Sequence, residues 1–139
     1  MALKISLQIK KVNATMVEGI SRKVGETAFA AFSAIIIASP HDTGHFRQNW
    51  QVSLNERKTN ELEGTDKSGQ NTIRKNEPVF ANYKMGRGES ASKIIFSNNV
   101  PYAIRLNEGH SKQAPSGFVQ RALRAGLKAL DASGKIFKS

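Results

Sequence analysis

The hydrophobic period of this chain changes at one place, and that change sets the topology around it. Up to Ala38, apolar residues recur at steps of three and four: Met16, Ile20, Val24, Ala28, Ala31, Ile35 and Ala38. This spacing predicts an amphipathic helix of about six turns over residues 15–38. Thr15-Met16-Val17-Glu18 matches a capping box at its start. From Trp50 the period becomes two, with Trp50, Val52 and Leu54 alternating with Gln51, Ser53 and Asn55, which predicts a strand over about Asn49–Asn55. Pro40 stops the helix, because it removes a donor and biases Ser39 away from helical geometry. Residues 39–50 are therefore a helix-to-strand corner. In it Asp42 is expected to accept from nearby backbone N–H groups, with Thr43 beside it and Gly44 free to take positive φ.

Before the helix, Leu3, Ile5, Leu7 and Ile9 alternate with Lys4, Ser6, Gln8 and Lys10. Residues 1–11 are thus a strand of the domain, or an arm that adds an edge strand to a neighbouring subunit. Phe29, Phe32 and Ile36 form a second apolar stripe on the long helix, wide enough to pack on more than one neighbour. Beyond the corner, residues 56–77 carry only Leu62 and Ile73 as large apolar side chains. Such a segment cannot bury enough surface to fold alone. Residues 56–92 are accordingly expected as an extended loop or hairpin, disordered or ordered on a partner, with Val79–Tyr83 pairing weakly and Gly86–Glu89 a flexible turn. Lys93–Ser97 is a third strand. Pro101 and Tyr102–Glu108 suggest a short helix ended by Gly109. Pro115 opens a last helix over 115–130, with Phe118, Val119, Ala122, Leu123, Leu127 and Leu130 inward. The tail from Asp131 is basic and expected to be mobile. The whole is predicted as a single α+β domain, residues 1–139, in which two helices pack on a small, mainly antiparallel sheet with a long polar loop.

Composition restricts the function classes. The 139 residues carry a net charge of +10 and no cysteine. Disulfides and thiolate metal sites are excluded, and a polyanionic or acidic partner is favoured. No apolar run reaches the roughly 20 residues that span a bilayer. The N-terminus lacks the unbroken apolar stretch of a signal peptide, so synthesis in the cytoplasm is expected. His41 and His45 have a spacing that suits zinc on a helix, but Pro40 and Gly44 break the helix there, and no metal or cofactor is expected. His110 stands alone. The carboxylates of the polar segment have nothing to hold them at the fixed separation that acid–base chemistry needs. The expectation is a protein without catalytic residues. Arg47 and Trp50 offer a guanidinium and a ring three residues apart; they are a partner surface, or Trp50 is a core anchor covered by the Arg47 stem. Arg121, Arg124 and Lys128 share one helix stripe suited to phosphate contacts.

Three segments carry a family resemblance. They are Ser39-Pro40-His41-Asp42-Thr43-Gly44-His45-Phe46-Arg47-Gln48-Asn49-Trp50, then Asn98 through Pro101-Tyr102-Ala103 to Leu106-Asn107-Glu108-Gly109, then Lys112-Gln113-Ala114-Pro115-Ser116-Gly117-Phe118-Val119. In order and spacing they resemble the neck and tail-completion (tail-component) proteins of lambdoid-type long-tailed phages, a group that includes the minor tail protein Z of lambda. His45 departs from the family pattern, where Arg is common. The resemblance implies a structural virion protein at the head–tail junction, assembled in the host cytoplasm. It implies a homo-oligomeric ring of about six or twelve subunits, meeting head-closure or connector proteins on one side and tail-terminator or tail-tube proteins on the other. Tail terminator or minor tail protein are alternatives within the class, and a basic nucleic-acid-binding module is the alternative outside it. Interface candidates are Phe29, Phe32, Ile36, Arg47, Trp50, Leu62 and Ile73. Candidates to face DNA are Arg121, Arg124 and Lys128. Structural corners are expected at Pro40, Asp42, Thr43, Gly44, Pro101, Tyr102 and Gly109.

Overall fold

The computed structural model describes residues 3–9, 17–84, 93–131 and 136–138. The elements in chain order are β1 (Leu3–Ile9), α1 (Val17–Ala38), α2 (His45–Gln48), β2 (Trp50–Leu54), α3 (Gln70–Ala81), β3 (Lys93–Asn98), α4 (Ala103–Asn107), α5 (Phe118–Asp131) and β4 (Ile136–Lys138). The class is α+β, as the sequence predicts. Thr15 and its capping box, and the Gly86–Glu89 turn, lie outside the described residues. No helix among the described residues is long and apolar enough to cross a membrane.

The strands form one antiparallel sheet in the order β2-β3-β1-β4. Register puts Val52 opposite Phe96, and Phe96 opposite Ile5, so these residues share one face. That face, with Trp50 and Ile94, packs into the core beneath the helices. The opposite face carries Lys4, Gln51, Ser53, Ile95 and Ser97. β1 lies inside its own sheet, between β3 and β4, so Leu3–Ile9 is a strand of the domain, and the alternative of an arm for a neighbour is corrected. The expected mobility of the tail is corrected for residues 136–138, which pair with β1.

α1 and α5 cross closely because both carry small residues there: a Cβ on Gly126 would meet the Ala31 backbone. α1 meets α3 in the same way. A Cβ on Gly25 would lie 2.6 Å from the Phe80 carbonyl oxygen. Phe32 has ring centroids 5.3 Å from Phe80 and 5.1 Å from Phe96, which ties α1, α3 and β3 together.

The largest correction concerns the polar segment. Residues 70–81 form a helix, in place of the extended loop with weak pairing at Val79–Tyr83 that the sequence suggests. Asn71, Thr72, Asn76 and Pro78 are poor helix formers, so propensity hides it. Hydrogen bonds hold it instead. Asp66 Oδ2 accepts from the Thr72 backbone N–H and from Thr72 Oγ1, both at 2.8 Å, and so caps the helix start. Asn76 Oδ1 accepts from Val52 N–H at 3.3 Å, while its Nδ2 donates to the Trp50 carbonyl at 3.4 Å. One amide side chain thereby takes the place of a neighbouring strand along the edge of β2.

Residues 56–65 form a strap held in the same manner. The two Asn49 amide atoms bind the Leu62 backbone: Oδ1 accepts its N–H at 2.6 Å and Nδ2 donates to its carbonyl at 3.0 Å. Gln48 donates to Glu63 O, Gln51 to Asn60 O, and Asn99 to both Lys58 O and Asn60 O. Apolar surface alone underrates such a segment. Here side-chain amides satisfy the strap backbone, so little apolar burial is needed.

Candidate docking groove

The corner between α1 and β2 is built around Arg47, which is 8% exposed. Its Nε donates to Ser39 O at 3.0 Å, one Nη to Ile37 O at 2.7 Å and the other to Lys67 O at 2.7 Å. The guanidinium thus ties the last carbonyls of α1, where the helix dipole favours a cation, to the loop before α3. Burial pulls its pKa down, opposed by the charge of Asp66; a guanidinium stays protonated throughout. Ser39 Oγ donates to Ile35 O at 2.6 Å and accepts from Trp50 Nε1 at 2.9 Å. Gly44 takes φ +89°, and a Cβ there would lie 2.6 Å from Lys67 N, so only glycine fits. The Gly44 carbonyl accepts from Asp66 N–H at 2.9 Å. The local acceptor in the turn is Thr43 Oγ1, which takes the His45 N–H at 3.2 Å. This corrects the expectation that Asp42 fills that role; Asp42 is exposed.

The second and third segments close on the first. Asn98 Nδ2 donates to Phe46 O at 2.9 Å, and Asn98 Oδ1 accepts from Val100 N–H. Asn107 Oδ1 accepts the Val119 N–H at 3.0 Å, capping α5 from a distant segment, and Asn107 O accepts from Gly117 N–H. Gly109 ends the short helix with φ +101°, as expected. His41 N–H donates to Gln113 Oε1 at 2.6 Å, across 72 residues of sequence. Phe46 stacks edge-on with both Trp50 and Phe118.

Where the three segments meet, a groove of about 500 Å³ opens. Pro40, Asp42, Thr43, Tyr102, His110 and Lys112 are among the residues lining it. Tyr102 is 40% exposed, one of two exposed large apolar side chains among the described residues. Partial burial and the Glu61 carboxylate raise its pKa. The buried polar residues of the segments build the shape, and exposed Asp42, Thr43, Tyr102 and Lys112 line the groove. Among the described residues no three His, Cys, Asp or Glu side chains are grouped to hold a metal.

The expected interface residues do not assemble into one surface. Phe32, Ile36 and Trp50 are fully buried in the core of the chain itself, which corrects their reading as partner contacts. The cause is α3: Phe80 packs on Phe29 and Phe32 and Gly69 at the helix start lies against Ile36, so the second stripe of α1 looks unpartnered only while α3 goes unrecognised. Arg47 is likewise spent on internal carbonyls. Phe29, Leu62 and Ile73 are half-buried. Arg121, Arg124 and Lys128 are exposed on α5, and Arg121 donates to Pro115 O. Sequence reasoning missed Asn49, Asn76, Asn99 and Asn107, whose only signal was a density of Asn in segments without apolar periodicity. It also missed the pairing of His45 with Glu61 at 2.7 Å. Compared with protein-family models, curated proteins and solved structures, the chain matches none.

Proposed function

We propose that this protein is a structural component of a phage virion, at the head–tail junction, acting through surfaces that dock other subunits. The observation that carries the reading is the convergence of the three resembling segments on one groove, linked by the His41–Gln113 and Asn98–Phe46 hydrogen bonds. In them Ser39, Arg47, Trp50 and Asn98 are buried, a scaffold's task. Asp42, Thr43, Tyr102 and Lys112 remain exposed around the groove. An exposed aromatic ring with a polar rim fits the anatomy of a docking site. The protein is proposed to form a ring and to join head-closure to tail-terminator or tail-tube proteins, with no catalytic step of its own.

Mass measurement of the purified chain, alone and mixed with its head-closure and tail partners, tests this. The expected result is a closed oligomer or a stable mixed complex, with Tyr102→Asp weakening it while leaving the circular dichroism spectrum unchanged. A monomer that binds neither partner at working concentration contradicts the proposal.

A second reading rests on α5, where Arg124 and Lys128 are exposed on the stripe with Arg121. A nucleic-acid binder using several such contacts loses affinity by orders of magnitude between about 50 and 200 mM salt; docking through the groove does not.

A further inference from the structure

His45 stands between two acceptors. Its Nδ1 is 2.8 Å from the Gly64 carbonyl oxygen and its Nε2 is 2.7 Å from Glu61 Oε2. A carbonyl and a carboxylate can only accept, so both contacts are hydrogen bonds only when both ring nitrogens carry protons. Neutral imidazole has one N–H: protonated at Nδ1 it keeps the Gly64 bond and its Nε2 can accept from Asn49 Nδ2, 3.4 Å away, but it then sets a lone pair against Glu61 Oε2.

We infer that His45 is a pH-operated latch: its imidazolium fastens the strap of residues 56–65 to the α2 corner, and deprotonation loosens the strap. The other contacts of the strap do not titrate. Asn49 grips Leu62, Gln48 grips Glu63, and Gln51 and Asn99 grip Asn60. Leu62 is the strap's one large apolar side chain, and it is only half-buried. The strap is therefore held by hydrogen bonds with little hydrophobic support, the condition under which one extra contact changes how often a segment opens. Gly64, whose carbonyl His45 holds, has φ +107°, and the Gln48 side chain is the one neighbour that a Cβ there would touch.

The charged and titratable groups around His45 are few. From the strap comes Glu61; from the segment entering α4 comes Tyr102, whose hydroxyl senses Glu61. On its own helix Arg47 is turned toward the carbonyls of Ile37, Ser39 and Lys67. The hydrogen bond to Glu61 raises the His45 pKa, reinforced by the Gly64 carbonyl and only partly offset by burial. A raised folded pKa means the latch is fully fastened below the ordinary histidine value of about 6.5 and is lost as pH rises through the higher folded value. Release would bare Gln51 and Ser53 on the outer face of the sheet, whose side chains donate to the strap carbonyls of Asn60 and Glu56. The latch does not depend on the virion reading.

Amide hydrogen exchange of the whole chain, followed from about pH 5 to about pH 9 and corrected for intrinsic rates, tests it. The Leu62 amide, bound to Asn49 Oδ1, is the reporter. Its protection is expected to fall by roughly two- to fivefold as His45 deprotonates, the size of one exposed ion-pair contact. His45→Gln is expected to abolish the pH dependence, and Glu61→Gln to move its midpoint downward. Gln51→Ala, which removes the donor to Asn60 O, is expected to loosen the strap at every pH while keeping the pH dependence. Ring nitrogen chemical shifts of His45 give a second readout, with both nitrogens protonated in the fastened state. Leu62 protection that is flat through the His45 titration, or a pH dependence that persists in His45→Gln, overturns the latch.

Discussion

Single residues at the corner carry loads that their neighbours cannot take over. Arg47 satisfies three carbonyls on two segments with one planar fork, and lysine offers a single ammonium in its place. Arg47→Lys is expected to lower stability by about 2 kcal/mol, and Arg47→Met by more, because buried carbonyls lose a charged donor. Equilibrium denaturation measures both. Gly44→Ala meets two obstacles, a positive φ and the Lys67 backbone. Its expected cost is of order 2–3 kcal/mol, and thermal melting would show it. A melting temperature equal to that of the parent chain in either variant would mean that the corner is not held as described.

At the level of elements, the fold depends on amide side chains acting as backbone. Asn76 serves the edge of β2, Asn49 serves the strap and Asn107 caps α5. Asn76→Ala leaves Val52 N–H and Trp50 C=O without a partner and is expected to cost about 1–3 kcal/mol, read by denaturant unfolding. Replacement by Asp keeps the acceptor for Val52 N–H but sets a carboxylate oxygen against the Trp50 and Thr72 carbonyls, and is expected to cost more than Ala at neutral pH. Asp66 gives α3 a pH signature. Burial pushes its pKa up, but hydrogen bonds from Thr72, Gly69 and Ser68 outweigh this and leave it below the ordinary carboxylate value. Its contribution is therefore complete above the ordinary value of about 4 and is lost as pH falls through the lower folded one. Asp66→Asn is expected to lower stability at neutral pH and to flatten the loss in acid, followed by unfolding at a series of pH values.

The same devices explain which elements were legible. α1, α5, β1, β2 and β3 follow apolar periodicity, and the positions that periodicity assigns them are close to those observed. α3 has one fully buried aromatic, Phe80, and otherwise buries Thr72 and Asn76. Its stability lies in pairings between residues 24 and 26 apart from β2, and a local window cannot see such pairings. Missing α3 leads in turn to the misreading of Phe32 and Ile36 as a partner surface. For the groove, glycine and proline positions mark the corners correctly, but nothing in the sequence says that His41 and Gln113 touch.

For the whole molecule, the separation of buried scaffold from exposed rim is the basis of the proposed function. Neutralising the α5 stripe by Arg121→Gln, Arg124→Gln and Lys128→Gln is expected to leave stability within about 0.5 kcal/mol and assembly unchanged, while reducing the salt-dependent retention of the chain on DNA. The central claim is that this chain is a docking subunit of a particle. A cryo-EM map of the intact virion tests it most directly. The expected map shows copies of this fold in a ring between head and tail, with Tyr102 and Lys112 covered by a neighbouring chain. A mature particle that lacks this chain, or contains it with the groove open to solvent on every copy, would contradict it.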